Sequence, residues 1–419
     1  MRVLFVTYAE RTHFLAMAPL AWALRTAGHD VVFASQPAFV EEITRAGLTA
    51  VSVGRYRDPA RMLELAPDWY TSDRTGLPMP YDVVEQRPQD MSWEYLRDGF
   101  KRQVKDWHKV ENVPMIPDLV AFAQAWRPDL VLWEPSTYAG SIAAKACGAA
   151  HGRIMFSHDI YGVTRHHYLR LMQDGTDPMA EWLGAYARSF GADFTEDMIT
   201  GQFTIDQLPA ALRIESPDVD YVPMRYTPYG GPATIPAWLR TPPARPRVAL
   251  TLGLVATERF DGFAVDVQDI LDSLADLDVE VVATVPEREQ RRLARVPANA
   301  RLVSFVPLTA LVPTCAVVIH HAGFGTLSTT ALNAVPQLVL PYHFDEPALA
   351  DGLVDMGTAL AVHATKATGP VVREAVQRLL REPQFRAGAR RVRDELLALP
   401  TPNALVPRLE ALALTNGAV

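Results

Sequence analysis

The stretch AVVIHHAGFGTLSTTAL at 316–332 places two histidines and two glycines where an apolar run gives way to a hydroxyl-rich segment. Read as strand, turn and helix, it puts His321, Gly323, Gly325, Thr326 and Ser328 at a strand end and a helix N-terminus. Glycines let the backbone approach an anion, and the first helical turn offers free N–H groups with partial positive charge. A diphosphate fits there without a metal, and His321 can donate a further hydrogen bond to it and stabilise charge growing on a leaving group. Such turns are common in themselves, so their surroundings decide the meaning. The second chemical candidate is His13, which follows the first apolar run by a short turn and precedes a helical pattern. An imidazole titrating near neutrality suits removal of a proton from an acceptor hydroxyl; a structural histidine is the alternative.

Two sets of elements must position these groups. Residues 2–7 read as a buried strand, a helical pattern runs through Met17, Leu20 and Leu24 to Gly28, and DVVFAS begins another strand. A second unit near 119–156 reads helix LVAFAQAW, strand DLVLWE, helix AGSIAAKAC and strand GRIMFS, its strands almost continuously apolar as covered parallel strands tend to be. The pattern breaks between 52 and 115 into Pro, Arg, Asp, Trp and Tyr mixtures, an insertion suited to a binding wall or partner surface. A Pro- and Gly-rich linker is read at 222–246. Alternation then restarts with RVALTLG, a helix carrying Val267, Ile270, Leu271 and Leu274, strands VEVVATV, RLVSFV and AVVIHH, a helix from about 326 and strand QLVLPY. PNALVPRLEALAL closes the chain as a short helix. The fold class is α/β: two doubly wound, Rossmann-like domains facing across a crevice, with ligands at the carboxyl ends of the strands. Boundaries are expected at 1–221, 222–246, 247–400 and 401–419, the last a helix packing back on the N-terminal domain.

The 419 residues exceed what one core usually supports. At 49% hydrophobic and 21% charged, disorder is disfavoured. A formal charge of -8 without a basic, aromatic-interleaved block argues against nucleic acid. No apolar run suits a membrane span, which points to the cytoplasm. Cys147 and Cys315 suit buried thiols in a reducing compartment. His166 and His167, read as opening a helix beside Arg165, complete no metal-ligand set, and no metal is expected.

HAGFGTLSTTAL, followed by VPQLVLP and an acidic pair, resembles the nucleotide-sugar signature of GT-B family 1 glycosyltransferases, especially the antibiotic deoxysugar transferases of actinomycetes. The likeness extends through WRPDLVLWEP at 126–135, TIDQLP at 204–209, VPMRYTPYGGP at 222–232 and SFVPLTALVPTCAVVIHHAG at 304–323. It implies a GT-B fold with a donor half and an acceptor half. His321, Gly323, Gly325 and Thr326 would hold the diphosphate, and Phe305, Val306 and Pro307 would pack on the base. Thr251 and Gly253 would approach the phosphates or sugar, and Asp345 and Glu346 would meet sugar hydroxyls. Strand core is the alternative for Phe305, and a solvated loop for the acidic pair. Two residues depart from the pattern: Ala322 stands for the usual Gly and Glu346 for the usual Gln or Asp. Glu134 stands at an end-of-strand position often occupied by Asp and would partner His13. His158 and Tyr138 are the acceptor-side candidates. The implied reaction is an inverting, metal-independent transfer of a deoxysugar from a thymidine-diphosphate (TDP) sugar to a hydrophobic polyketide-type aglycone. A cytochrome P450-like helper binding around MSWEYLRDGFKRQVKDWHKV, for which a solvated amphipathic insertion is the alternative reading, and a homodimer complete the expected partners. The alternatives are a nucleotide-sugar epimerase and a catalytically silent nucleotide-sugar-binding subunit. A dehydrogenase is disfavoured, since TYAERTHFLA has no G-x-G-x-x-G.

Overall fold

The computed structural model describes residues 1–55, 76–253 and 262–417. Its first sheet has seven parallel strands: β1 Arg2–Val6, β2 Asp30–Ser35, β3 Thr49–Ser52, β4 Leu130–Trp133, β5 Ala150–Ile154, β6 Thr204–Asp206 and β7 Tyr221–Pro223, ordered β3-β2-β1-β4-β5-β6-β7. Its second has six: β8 Arg247–Thr251, β9 Glu280–Thr284, β10 Ala300–Val303, β11 Cys315–His320, β12 Gln337–Val339 and β13 Ala359–Ala361, ordered β10-β9-β8-β11-β12-β13. Every residue of β4 and of β8 is buried, as continuous apolar runs covered on both faces require. The principal helices are α1 Arg11–Thr26, α2 Trp93–Gln103, α3 Ile116–Trp126, α4 Ala139–Cys147, α5 Ile160–Leu171 and α6 Pro178–Ser189 in the first half. They are α7 Phe324–Leu332, α8 Glu346–Asp355, α9 Gly369–Arg381, α10 Pro383–Ala398 and α11 Pro402–Asn416 in the second.

Strand order reverses between β1 and β4 and between β8 and β11, which is where open α/β sheets leave a crevice at their carboxyl ends. Register sets what meets there. Val6 pairs with Trp133, so the loop to α1 and the residue Glu134 leave adjacent strands at one level. His320 pairs with both Thr251 and Val339, so His321 emerges between the ends of β8 and β12.

The structure moves several sequence-derived boundaries. β7 carries the first sheet to Pro223, so the linker starts later than 222. α11 is the expected closing helix, 15 residues long, and packs back on the N-terminal half: its Leu405, Val406, Leu409 and Ala413 join the core formed by α1 and the first sheet, and Glu410 reaches His29 at 3.1 Å. His166 and His167 lie mid-way along α5 instead of opening it. Of the insertion, 56–75 lies outside the described residues. Its remainder includes α2, whose Trp93, Leu96 and Phe100 are core while Glu94, Asp98, Lys101 and Arg102 face solvent. The two halves meet where Leu208 and Leu212 share a cluster with Ala322, Leu327 and Leu349, and where Gly76 N–H donates to the Tyr342 carbonyl at 3.1 Å.

Candidate active site

Glu10 caps α1 by accepting from Thr12 N–H at 3.2 Å, which sets His13 in the first helical turn, its side chain 12% exposed. Its Nδ1 lies 3.3 Å from Glu134 Oε2, a close charge contact whose angle is not that of an aligned hydrogen bond. The ring stacks on Phe156 at 3.5 Å and 16°, and Tyr8 meets it edge-on at 5.4 Å and 88°. Phe156 is held because the segment after β5 is tied at both ends: buried Arg153 grips Asp159 through two bonds, and Asp159 caps α5 by accepting from Gly162 N–H. Glu134, fully buried, accepts from Ser136 N–H and Oγ and from Thr137 Oγ1. An imidazole with a carboxylate behind Nδ1 keeps Nε2 for exchange with a substrate proton, the logic of a general base with an orienting acid.

In the second half, Gly323 caps α7 without a side-chain bond; Thr326 N–H turns back to the Gly323 carbonyl at 3.1 Å, which leaves the Phe324 and Gly325 N–H groups at the helix end for a ligand. His321 fills the space beside it. A Cβ at Gly323 would lie 2.3 Å from His321 Nε2, and one at Gly253 2.6 Å from its Cε1. These glycines therefore seat the imidazole, a role beyond the close phosphate approach read from sequence. Burial lowers His321 to about 4, the neighbouring His343 adds to this, and the nearby Thr251 backbone opposes it. Its Nε2 lies 3.9 Å from Glu346 Oε1. Burial raises Glu346 to about 8, outweighing the Tyr342 and His343 N–H groups that its Oε2 accepts at 2.9 and 2.8 Å. Both shifts leave the pair uncharged near neutrality, so no internal ion pair competes with a diphosphate. His320 shapes the turn: its Nδ1 accepts from Ala322 N–H at 3.0 Å and its Nε2 donates to Gln337 at 2.7 Å, while burial lowers it to about 3. Ala322 sits at φ +76°, where glycine is usual, and its buried methyl packs in the interdomain cluster.

Residues 22–253 match the family described as erythromycin biosynthesis protein CIII-like, N-terminal domain, and 268–412 match its C-terminal domain. The chain belongs to this glycosyltransferase family. It is 41% identical to the 10-deoxymethynolide desosaminyltransferase of Streptomyces venezuelae over 99% of this chain and 97% of that one. It is 40% identical to the aclacinomycin-T 2-deoxy-L-fucose transferase of Streptomyces galilaeus over 98% and 96%. Among solved structures, the glycosyltransferase VinC in complex with dTDP superposes with a TM-score of 0.88 at 39% identity, covering 99% of this chain and 100% of that one. The expected GT-B fold is thereby established.

In this glycosyltransferase Phe305 lies just past β10 and is 52% exposed, so it is not strand core. An open depression of about 400 Å³ adjoins it, lined by Glu287, Gln290, Arg291, Leu302, Val303 and Ser304. Val306 is corrected: it is buried against Leu239, Leu311 and Val318, beneath the surface it was expected to form. Pro307 caps a short helix at Leu308–Leu311. Thr251 ends β8 buried; Gly253 follows at φ +72°. Gly325 and Thr326 lie in the first turn of α7. Asp345 is half-buried, whereas Glu346 is buried and clamps its own loop, so the acidic pair is no solvated loop. His158 is buried with Nε2 donating to the Leu212 carbonyl at 2.7 Å. Tyr138, 1% exposed, packs against Trp182 and His108, behind any wall rather than on it. Among the described residues no group of three or more His, Cys, Asp and Glu is placed to hold a metal, and no helix is long and apolar enough to cross a membrane. Sequence reasoning missed Tyr8, Phe156, Ser136 and Thr137. Only the EPST order at 134–137 carried a local signal, two hydroxyls beside a candidate acid.

Proposed function

We propose that this glycosyltransferase moves a deoxysugar from a TDP-sugar to a hydroxyl of a hydrophobic polyketide-type aglycone, by one in-line displacement that inverts the anomeric centre. The observation that carries the proposal is the His13–Glu134 couple at the switch point of one sheet, in a chain whose other sheet offers His321 and an uncapped α7 at its own switch point. In this reading His13 takes the acceptor proton as the acceptor oxygen attacks. Glu134 stabilises the imidazolium that forms. The leaving diphosphate is received by the α7 N-terminus and His321, whose hydrogen bond and helix dipole do the work a metal would otherwise do. Phe305 stacks on the base, and Asp345 meets the sugar. The relatives' desosaminyl and 2-deoxy-L-fucose transfers and the dTDP of VinC support this donor class. The same reading places the enzyme in the cytoplasm, as a homodimer, with a P450-like helper on the charged side of α2; mass in solution and rates with and without such a helper test these.

The test is turnover with EDTA present, using dTDP-desosamine with 10-deoxymethynolide, after the first relative, and dTDP-L-rhodosamine with aklavinone, after the aklavinone 7-beta-L-rhodosaminyltransferase of Streptomyces galilaeus, to which the chain is also 41% identical, followed by NMR assignment of the product's anomeric configuration. Glycoside of inverted configuration is expected from at least one pair. Retained configuration would sink the single-displacement mechanism, and activity only on metal addition would sink the metal-free one. An epimerised nucleotide sugar without transfer would favour the epimerase alternative.

A further inference from the structure

The couple between His13 and Glu134 is itself held by a third group. Thr137 is 1% exposed, and its single hydroxyl hydrogen goes to Glu134 Oε1 while its oxygen accepts Tyr8 N–H at 3.1 Å. A hydroxyl that donates once and accepts in a fixed direction has no remaining rotational freedom. Tyr8 in turn lays its ring edge-on against His13, and Glu134 places Oε2 at His13 Nδ1. Thr137 thus touches both supports of the imidazole. Ser136 Oγ, at 2.9 and 3.0 Å from the two carboxylate oxygens, straddles the acid and fixes neither alone. Glu134, one methylene longer than Asp, has an additional torsion that these hydroxyls must remove.

We propose that Thr137 is a positioning residue for sugar transfer, locking Glu134 and Tyr8 so that His13 faces the acceptor in one orientation; this rests on His13 being the base. The backbone turn here comes from Thr137 N–H to the Glu134 carbonyl and Gly140 N–H to the Thr137 carbonyl, so Thr137→Val keeps the turn and the shape and removes only the hydroxyl. Once that carboxylate is gone, Thr137 keeps only the Tyr8 backbone N–H to hold, so the larger part of its effect on His13 should vanish.

The experiment is a double-mutant cycle on the full chain with the two donor and acceptor pairs named above. Thr137→Val is expected to lower kcat about 10- to 100-fold with KM for both substrates and dTDP affinity within twofold of wild type, and Thr137→Ser to restore kcat to within about fivefold. In a Glu134→Ala background, Thr137→Val should lower kcat by less than about fourfold further, the part that its bond to Tyr8 carries. Thr137→Ala removes the same hydroxyl and takes the place of the valine variant if that variant does not fold. Unchanged kcat in Thr137→Val, an equal loss with and without Glu134, or a defect confined to KM overturns the proposal. His13→Ala separates it from the reading beneath it: wild-type kcat there overturns both, whereas a 100-fold loss there with an active Thr137→Val overturns this one only.

Discussion

Replacing Gly323 with alanine isolates the seat of His321. The backbone at 323 has φ −58° and ψ 137°, which any residue adopts, so the substitution acts through its methyl alone. That methyl would lie 2.3 Å from His321 Nε2 and 3.0 Å from Cε1, where unstrained contacts rest at about 3.5 Å, so the ring must retreat by roughly 1 Å. On the other side it already occupies the space that a side chain at Gly253 would need, which leaves little room for retreat there. It must therefore swing from the helix end. A displaced imidazole loses its hydrogen bond to a charged phosphate, worth about 1.5–3 kcal/mol, or ~10- to 100-fold in dTDP affinity. Loss of glycine at the helix cap costs a further ~0.5–1 kcal/mol of stability, visible in melting temperature and not in affinity. Calorimetric titration with dTDP of wild type, Gly323→Ala, His321→Ala and the double variant reads these separately. The double variant should bind within threefold of His321→Ala, because the clash has gone. Affinity of Gly323→Ala within threefold of wild type would refute the displacement. A full additional penalty in the double variant would mean that the methyl blocks the ligand itself.

Four other outcomes are expected. His13→Ala should lower kcat by about 10²- to 10⁴-fold with dTDP affinity unchanged, measured by single-turnover kinetics beside calorimetry. Phe305→Ala should weaken dTDP binding by about 1–3 kcal/mol with no fall in melting temperature, since the ring is half in solvent and supports no core. His321, lowered to about 4, gains basicity beside an anion, and Glu346, raised to about 8, resists ionising there. dTDP affinity should therefore rise as pH falls from 7 towards 5 with proton uptake, and weaken above pH 8; calorimetry in buffers of different ionisation enthalpy detects the proton. Truncation after Thr401 strips Leu405, Val406 and Leu409 from the first core, each side chain worth about 1.5–3 kcal/mol, a sum comparable with the whole stability of a domain. Loss of the soluble protein, or a large drop in melting temperature, is the expected result.

The strands that bear the site were legible because they sit in continuous apolar runs. DVVFAS is β2 to the residue, and AGSIAAKAC is α4 to the residue. β3, β6, β7 and β13, three or four residues each, passed unread, whereas β4, β10 and β12, no longer, were read because apolar runs extend past their ends; without such a run so short a segment shows no period of its own, and pairing with a neighbour makes it a strand. α9 was readable and overlooked, since Val372, Ala375, Val376 and Leu379 follow the three-and-four spacing of a buried helical face.

Sequence alone determined that two parallel α/β units follow one another, that a glycine-bearing turn opens a helix after the apolar strand at 315–320, and that a histidine follows the first strand. These are local properties, written in hydrophobic runs and in residues whose backbone freedom is known from their type. Only the tertiary structure decided that His13 and Glu134, 121 positions apart, share one strand level, because Val6 pairs with Trp133. It alone decided that Phe156 and Tyr8 clamp the imidazole, that two glycines yield their space to His321, and that Val306 turns inward. Each depends on register and packing between distant segments, which no window along the chain contains.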